Sequence, residues 1–170
     1  MIWRQALLIG ALMLAAVIIE LTLLSRLGLP GATPDLVVVT IVAIALAMGP
    51  TQGAVAGFAG GVLIDLAPPA DTLLGVNAIV YIAVGYITGV AVDPRDRSVP
   101  ILIGIVGLAA GAAVLATAAL DTLLGSGRVS WGDVPGVALS SALYAVIMAP
   151  VVVLGVAWLV RRATPEVLVV

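Results

Sequence analysis

From Ile2 to Leu24 only Arg4, Gln5, Glu20 and Thr22 interrupt the apolar side chains, and comparable runs recur down to Val160. That pattern constrains this chain more than any motif in it. Charged residues make up 9% of the sequence, hydrophobic ones 63%, and mean hydropathy is +1.31. A compact water-soluble domain must cover itself with far more charge than this. The sequence therefore specifies an all-α membrane protein, with residues 1–170 forming one polytopic transmembrane domain.

A spanning helix needs about 20 residues to cross roughly 30 Å of hydrocarbon. Gln5–Leu24 meets this, and Pro30 and Pro34 stop it. The run is longer than the apolar core of a signal peptide and further apolar segments follow, so it is expected to be a retained helix. Asp35–Met48 and Gln52–Leu66, divided by Gly49-Pro50, both fall short of the full length. They read as two short spanning helices, with a re-entrant hairpin over 35–66 as the alternative. Leu73–Val92 and Val99–Leu124 read as full spans. So does Val134–Val160, which Pro150 is expected to kink. The expectation is six transmembrane helices, the second and third short.

Orientation follows from arginine placement, since the chain has no lysine. Arg4, Arg95, Arg97, Arg161 and Arg162 fall on one side of the six spans, and Arg26 and Arg128 on the other. Both termini are thus expected in the cytoplasm. Trp3, Trp131 and Trp158 sit near the expected boundaries, as interfacial aromatics do.

Few residues are equipped for chemistry. Without cysteine there is no disulfide or thiol chemistry, and without histidine the commonest proton shuttle and metal ligand is missing. Ser140 and Ser141 have no base nearby in sequence, and no phosphate-binding loop or metal-ligand spacing is present. No catalytic residue, cofactor or metal site is expected, and no basic face suits nucleic acid. Glu20, Asp65 and Asp121 are acids near the ends of apolar spans, where hydrogen-bonded structural roles are expected before ion relay. Asp35 is placed to face the positive end of the helix it precedes.

Two stripes stand out. Gly53, Gly57 and Gly61 recur every fourth residue, with Gly60 beside them and Asp65 continuing the face. Small residues at this spacing let a second backbone approach closely, either within the chain or from a partner helix. Under the docking reading, Gly57→Leu would abolish partner binding and spare insertion. Asn77, Tyr81, Gly85 and Thr88 give the fourth span one polar face, for an interhelical hydrogen-bond seam or a small pocket. Glu20, Asp35, Asn77 and Tyr81 are the candidate polar anchors, and Asp93–Arg97 is a charged turn.

The ordered set Pro34-Asp35-Leu36, Gly49-Pro50, Gly53, Gly57-Phe58, Gly61, Leu63, Asp65-Leu66, Thr72-Leu73-Leu74-Gly75-Val76 and Tyr86 resembles the rod shape-determining protein MreD family. Glu20 and Pro150 fall where that family carries a late first-helix polar residue and a last-helix proline. The resemblance is most specific from Pro34 to Gly89. It implies a non-catalytic scaffold of the bacterial elongation machinery in the inner membrane. Its implied partners are MreC and, through the assembly, RodA, a class B penicillin-binding protein, RodZ and MreB. It also implies a fold resembling the substrate-binding subunits of energy-coupling-factor vitamin transporters. Such a transporter subunit is the alternative function, with Ala11 and Ala15 as a small-residue patch for a coupling partner. The low aromatic content, with one Phe, three Tyr and three Trp, argues against a vitamin cavity.

Overall fold

The computed structural model describes residues 2–26, 33–67, 73–92, 98–127 and 129–163. Pro30, the Pro68–Asp71 loop, Thr72, the Asp93–Arg97 turn and Arg128 lie outside the described residues. The described chain forms six α-helices: α1 (Ile2–Thr22), α2 (Leu36–Met48), α3 (Pro50–Leu66), α4 (Val76–Ala91), α5 (Val99–Leu123) and α6 (Val134–Ala163). A single 3₁₀ turn, Leu24–Arg26, follows α1. The six apolar segments of the sequence thus each become one helix. The apolar stretch Trp3–Arg26, α5 and α6 are long and apolar enough to cross a membrane, while α2 and α4 are shorter apolar helices.

The fourth helix corrects the expectation of a full-length span over Leu73–Val92. Leu74 and Gly75 form a turn instead, with Gly75 at φ +95°. Glycine takes that left-handed conformation without a Cβ penalty. Helix begins only at Val76, so α4 has 16 residues and is about 24 Å long at the usual 1.5 Å rise. Pro50 opens α3 and Pro100 lies in the first turn of α5, where a missing N–H costs little. Pro150 sits inside α6, whose helix continues through it to Ala163.

Helix α2 is the centre of the bundle. Every residue from Leu36 to Leu46 is buried, and α1, α3, α4, α5 and α6 all touch it. Its sequence explains this: LVVVTIVAIALAM is apolar all round, with no face suited to water. The one polar side chain, Thr40, donates its hydroxyl back to the Leu36 carbonyl at 2.8 Å. Around α2 the core is built from Met13 of α1, Val106 and Ala110 of α5, and Ala145 and Ala149 of α6. The outer surface is apolar too. Trp3, Leu7, Ile79, Ile87, Leu108, Leu139, Ile147, Val151 and Leu154 are all exposed. An apolar exterior wrapped around an apolar core suits a hydrocarbon solvent.

Glycine sets the spacing between α3 and α4, which run antiparallel in the tightest contact of the fold. Gly53 lies against Gly85, Gly57 against Tyr81 and Ile82, Gly61 against Asn77 and Ala78, and Gly89 against Gly49 and Pro50. A Cβ on Gly53, Gly57, Gly61, Gly85 or Gly89 would collide with backbone atoms of the facing segment. Gly60 faces the other way and admits Val37 of α2 and Met13 of α1. The α5–α6 contact is looser, with Gly107 beside Val146 and Gly111 near Ala138 and Ala142. Such close helix pairs gain dispersion contacts and weak Cα–H···O interactions over their whole length.

This seam makes a sharp contrast among glycines. Gly57→Ala forces a backbone shift and should destabilise the purified protein by about 1–3 kcal/mol, as overpacking does. Gly10→Ala, in the interior of α1, meets nothing within 4 Å and should leave stability unchanged or raise it by up to about 1 kcal/mol. Thermal unfolding of the two variants in the same detergent checks this.

Candidate functional site

The polar groups of the described helices converge at one end of the bundle, and the starting point is the first turn of α2. A helix begins with four N–H groups that have no partner within it. Those of Leu36, Val37 and Val38 are satisfied from outside the helix. Leu36 N–H donates to the Pro34 carbonyl at 3.2 Å, and the helix's own bonding begins with Val39 N–H to the carbonyl of the N-cap Asp35 at 3.3 Å. Val38 N–H donates to Oδ1 of the N-cap Asp35 at 2.7 Å. Val37 N–H donates to Oε2 of Glu20, reaching over from α1, at 2.9 Å. The second oxygen of Asp35 accepts the Tyr81 hydroxyl of α4 at 3.1 Å.

Helix α4 is capped by a more distant residue. Its N-cap, Gly75, has no side chain to offer. Asp65, in the last turn of α3, does the work instead. Its Oδ2 accepts the N–H of Gly75 at 2.8 Å and of Ala78 at 3.2 Å, while Oδ1 accepts the Asn77 side-chain amide at 3.0 Å. Asp65 is 4% exposed, so its three donors replace the water it has lost. The glycine seam brings Asp65 to this position, because Gly61, one turn earlier, lies directly on Asn77 and Ala78.

Beside this network lies a cavity of about 380 Å³, bounded by Asp35, Asn77 and Tyr81 on one side. Ala113, Val114, Thr117, Ala118 and Asp121 of α5, and Val129, Ser130, Asp133, Val134 and Val137 leading into α6, complete the wall. Asp121 is 8% exposed and its Oδ1 has no hydrogen-bond partner. An unsatisfied buried acceptor costs about 1–3 kcal/mol, and more when charged. Ser141 and Ser126 also carry unpartnered hydroxyls. Ser140 donates to the Val137 carbonyl at 3.0 Å.

The structure therefore joins five of the sequence candidates directly: Glu20 and Asp35 through the first turn of α2, Asp65 and Asn77 through a hydrogen bond, and Tyr81 to Asp35. Gly53, Gly57 and Gly61 are elsewhere, along the buried α3–α4 seam. Their close approach is to this chain's own α4, which is the packing form of the expected face. Gly57→Leu would consequently disrupt the chain's own fold. Gly85 joins that seam, and Thr88 borders an apolar groove between α4 and α5. Ala11 and Ala15 are exposed on the outside of α1.

Two features escaped sequence reading. Asp133 joins the cavity from the far side of a loop, which spacing along the chain does not reveal. The cap from Asp65 to α4 crosses a loop as well, although an aspartate ending one helix shortly before a glycine-led start of the next was a usable signal. Chemically, the carboxylates of Glu20, Asp35 and Asp65 act as acceptors for amides and a phenol. Among the described residues no group of three or more acidic, histidine or cysteine side chains could hold a metal ion. Comparison with protein families, characterised proteins and solved structures finds no match.

The caps make their own test. Asp65→Ala leaves two backbone N–H groups and one amide without their acceptor and should cost about 3 kcal/mol or more. Tyr81→Phe removes a single hydrogen bond and should cost about 1 kcal/mol. In a double-mutant cycle, Tyr81→Phe should lose most of that effect in an Asp35→Asn background, while Asp65→Ala should add to it in full. Reversible unfolding in mixed micelles measures all five variants.

Proposed function

We propose that this chain is a non-catalytic integral membrane scaffold of the MreD kind, which binds the single-span protein MreC and supports cell shape and peptidoglycan synthesis. One observation supports it above the others. The residues that carry the resemblance, among them Asp35, Gly53, Gly57, Gly61, Asp65 and Gly75, are the ones that cap and pack α2, α3 and α4. The most distinctive polar groups are thus committed to holding a body together. Glu20, Asp35 and Asp65 accept hydrogen bonds as structural caps and present no paired nucleophile and base.

In this reading the protein sits in the bacterial inner membrane with both termini in the cytoplasm. The five arginines Arg4, Arg95, Arg97, Arg161 and Arg162 lie on the cytoplasmic side. The acidic end of the bundle, with Asp35, Asp65 and the cavity, then opens away from the cytoplasm. RodA, a class B penicillin-binding protein, RodZ and MreB are reached through MreC and the wider assembly. The apolar outer faces of the helices are the surface available to a partner's membrane helix.

A second reading, a substrate-binding subunit of an energy-coupling-factor transporter, is favoured by the cavity itself, which Asn77 and Tyr81 help to line. The outward Ala11 and Ala15 would then meet the coupling subunit.

Mild-detergent co-purification from native membranes separates the two. MreC and elongation proteins are expected with the tagged chain; an ATPase pair with its membrane coupling subunit would transfer the assignment to transport. Alkaline phosphatase fused at Gly127 should be active and at Asp96 inactive, and the reverse pattern would overturn the orientation.

A further inference from the structure

We propose that the open cavity bordered by α4, α5, α6 and the start of α2 binds a small molecule with an apolar body and a single cationic ammonium head, held by Asp121. The inference concerns the cavity alone and stands under either functional reading.

The cavity wall carries an excess of acceptors. Asp35, Asp121 and Asp133 all line it, and none of the described lining residues is basic. Two of its donors are already committed nearby: the Tyr81 hydroxyl is given to Asp35, and the Asn77 amide to Asp65. The three carboxylates differ in a way that selects one of them. Asp35 has a partner on each oxygen, Val38 N–H on one and the Tyr81 hydroxyl on the other. Asp133 is exposed at the rim. Asp121 is more than nine-tenths buried, yet its Oδ1 has no partner. The hydroxyl one residue on, Thr122, turns back to the Ala118 carbonyl and offers Asp121 nothing. A carboxylate on a cavity wall with one oxygen buried and lacking a donor is a group suited to receive one from a ligand.

The form of that donor follows from the rest of the wall. The acids do not come together as a metal-binding group, which disfavours a bare divalent ion. Val114, Ala118, Val134 and Val137 give the cavity an apolar flank, which a hydrocarbon or aromatic body would cover. At about 380 Å³ the space is near the lower end of ligand pockets, the size of a small amine and not of a large cofactor. An ammonium supplies three donors and no acceptor, the complement of this surface.

The test uses the purified full chain in neutral detergent, titrated calorimetrically with benzylamine and with benzyl alcohol, its uncharged analogue of the same shape. Saturable benzylamine binding is expected, with benzyl alcohol at least about tenfold weaker. Asp121→Asn keeps the shape and removes the charge, and should weaken benzylamine about tenfold while leaving benzyl alcohol unchanged. Asp133→Asn, at the exposed rim, should have a smaller effect in the same direction. Equal binding of the two probes, or no saturable benzylamine binding, overturns the proposal without any variant having to fold. An Asp121→Asn protein that folds and binds benzylamine normally overturns the role of Asp121. Because the chain is measured alone, failure here is distinct from failure to recover a membrane partner.

Discussion

A helix enclosed by other helices cannot leave its first amides to water, and this constraint organises one whole end of the protein. The buried α2 starts with N–H groups that need acceptors from outside the helix. Leu36 finds one in the preceding backbone, Val38 in the side chain of the N-cap Asp35, and Val37 in Glu20 on another helix. Supplying the last requires α1 to end at a fixed height beside α2. Asp35 then fixes α4 through Tyr81, and α4 in turn needs Asp65 from α3. Meeting the demands of two helix starts therefore sets the relative heights of four helices. In hydrocarbon, where association gains little from the hydrophobic effect, such bonds specify position as much as they stabilise.

The glycine seam is the other half of that arrangement. Hydrogen bonds at one end would leave α3 and α4 free to splay at the other. Contacts from Gly61 against Asn77 and Ala78, through Gly57 and Gly53, to Gly89 against Pro50 close the pair along its length. The two devices depend on each other. Asp65 reaches the amide of Ala78 only because no side chain at Gly61 separates the helices. A larger residue at Gly61 would lift α4 away from its cap, so one substitution would damage packing and capping together.

Helix number and order were legible in the sequence because apolar run length and proline and glycine breaks carry that information locally. Asp35 as the cap of α2 was legible for the same reason, since cap and helix are adjacent in sequence. The four-residue glycine period announced a close helix contact but not its partner, because a small-residue face looks the same to a neighbour in the chain and to a foreign helix. The shortening of α4 was hidden: Leu73 and Leu74 are as apolar as the helix that follows, and only the left-handed Gly75 separates them from it. The bonds from Glu20 to Val37 and from Tyr81 to Asp35 join residues far apart in sequence, and no local pattern encodes them.

The bundle is asymmetric, and the asymmetry locates its free space. On one flank of α4, glycines draw α3 into backbone contact. On the other flank α5 presents no matching glycine, and an apolar groove of about 300 Å³ runs between Val84, Ile87 and Ala91 of α4 and Ile105, Leu108 and Ala112 of α5. Farther along, where α5 ends and α6 begins, the acidic cavity opens on the same side of α4. The polar groups on the tight flank are satisfied by one another, whereas the unpartnered carboxylate oxygen, Oδ1 of Asp121, belongs to the loose flank. A body that is tightly packed on one side and loosely packed on the other can take in a ligand or answer a partner without losing its fold, because the bonds that set helix heights hold one wall of the cavity while α5 and the start of α6 form the other.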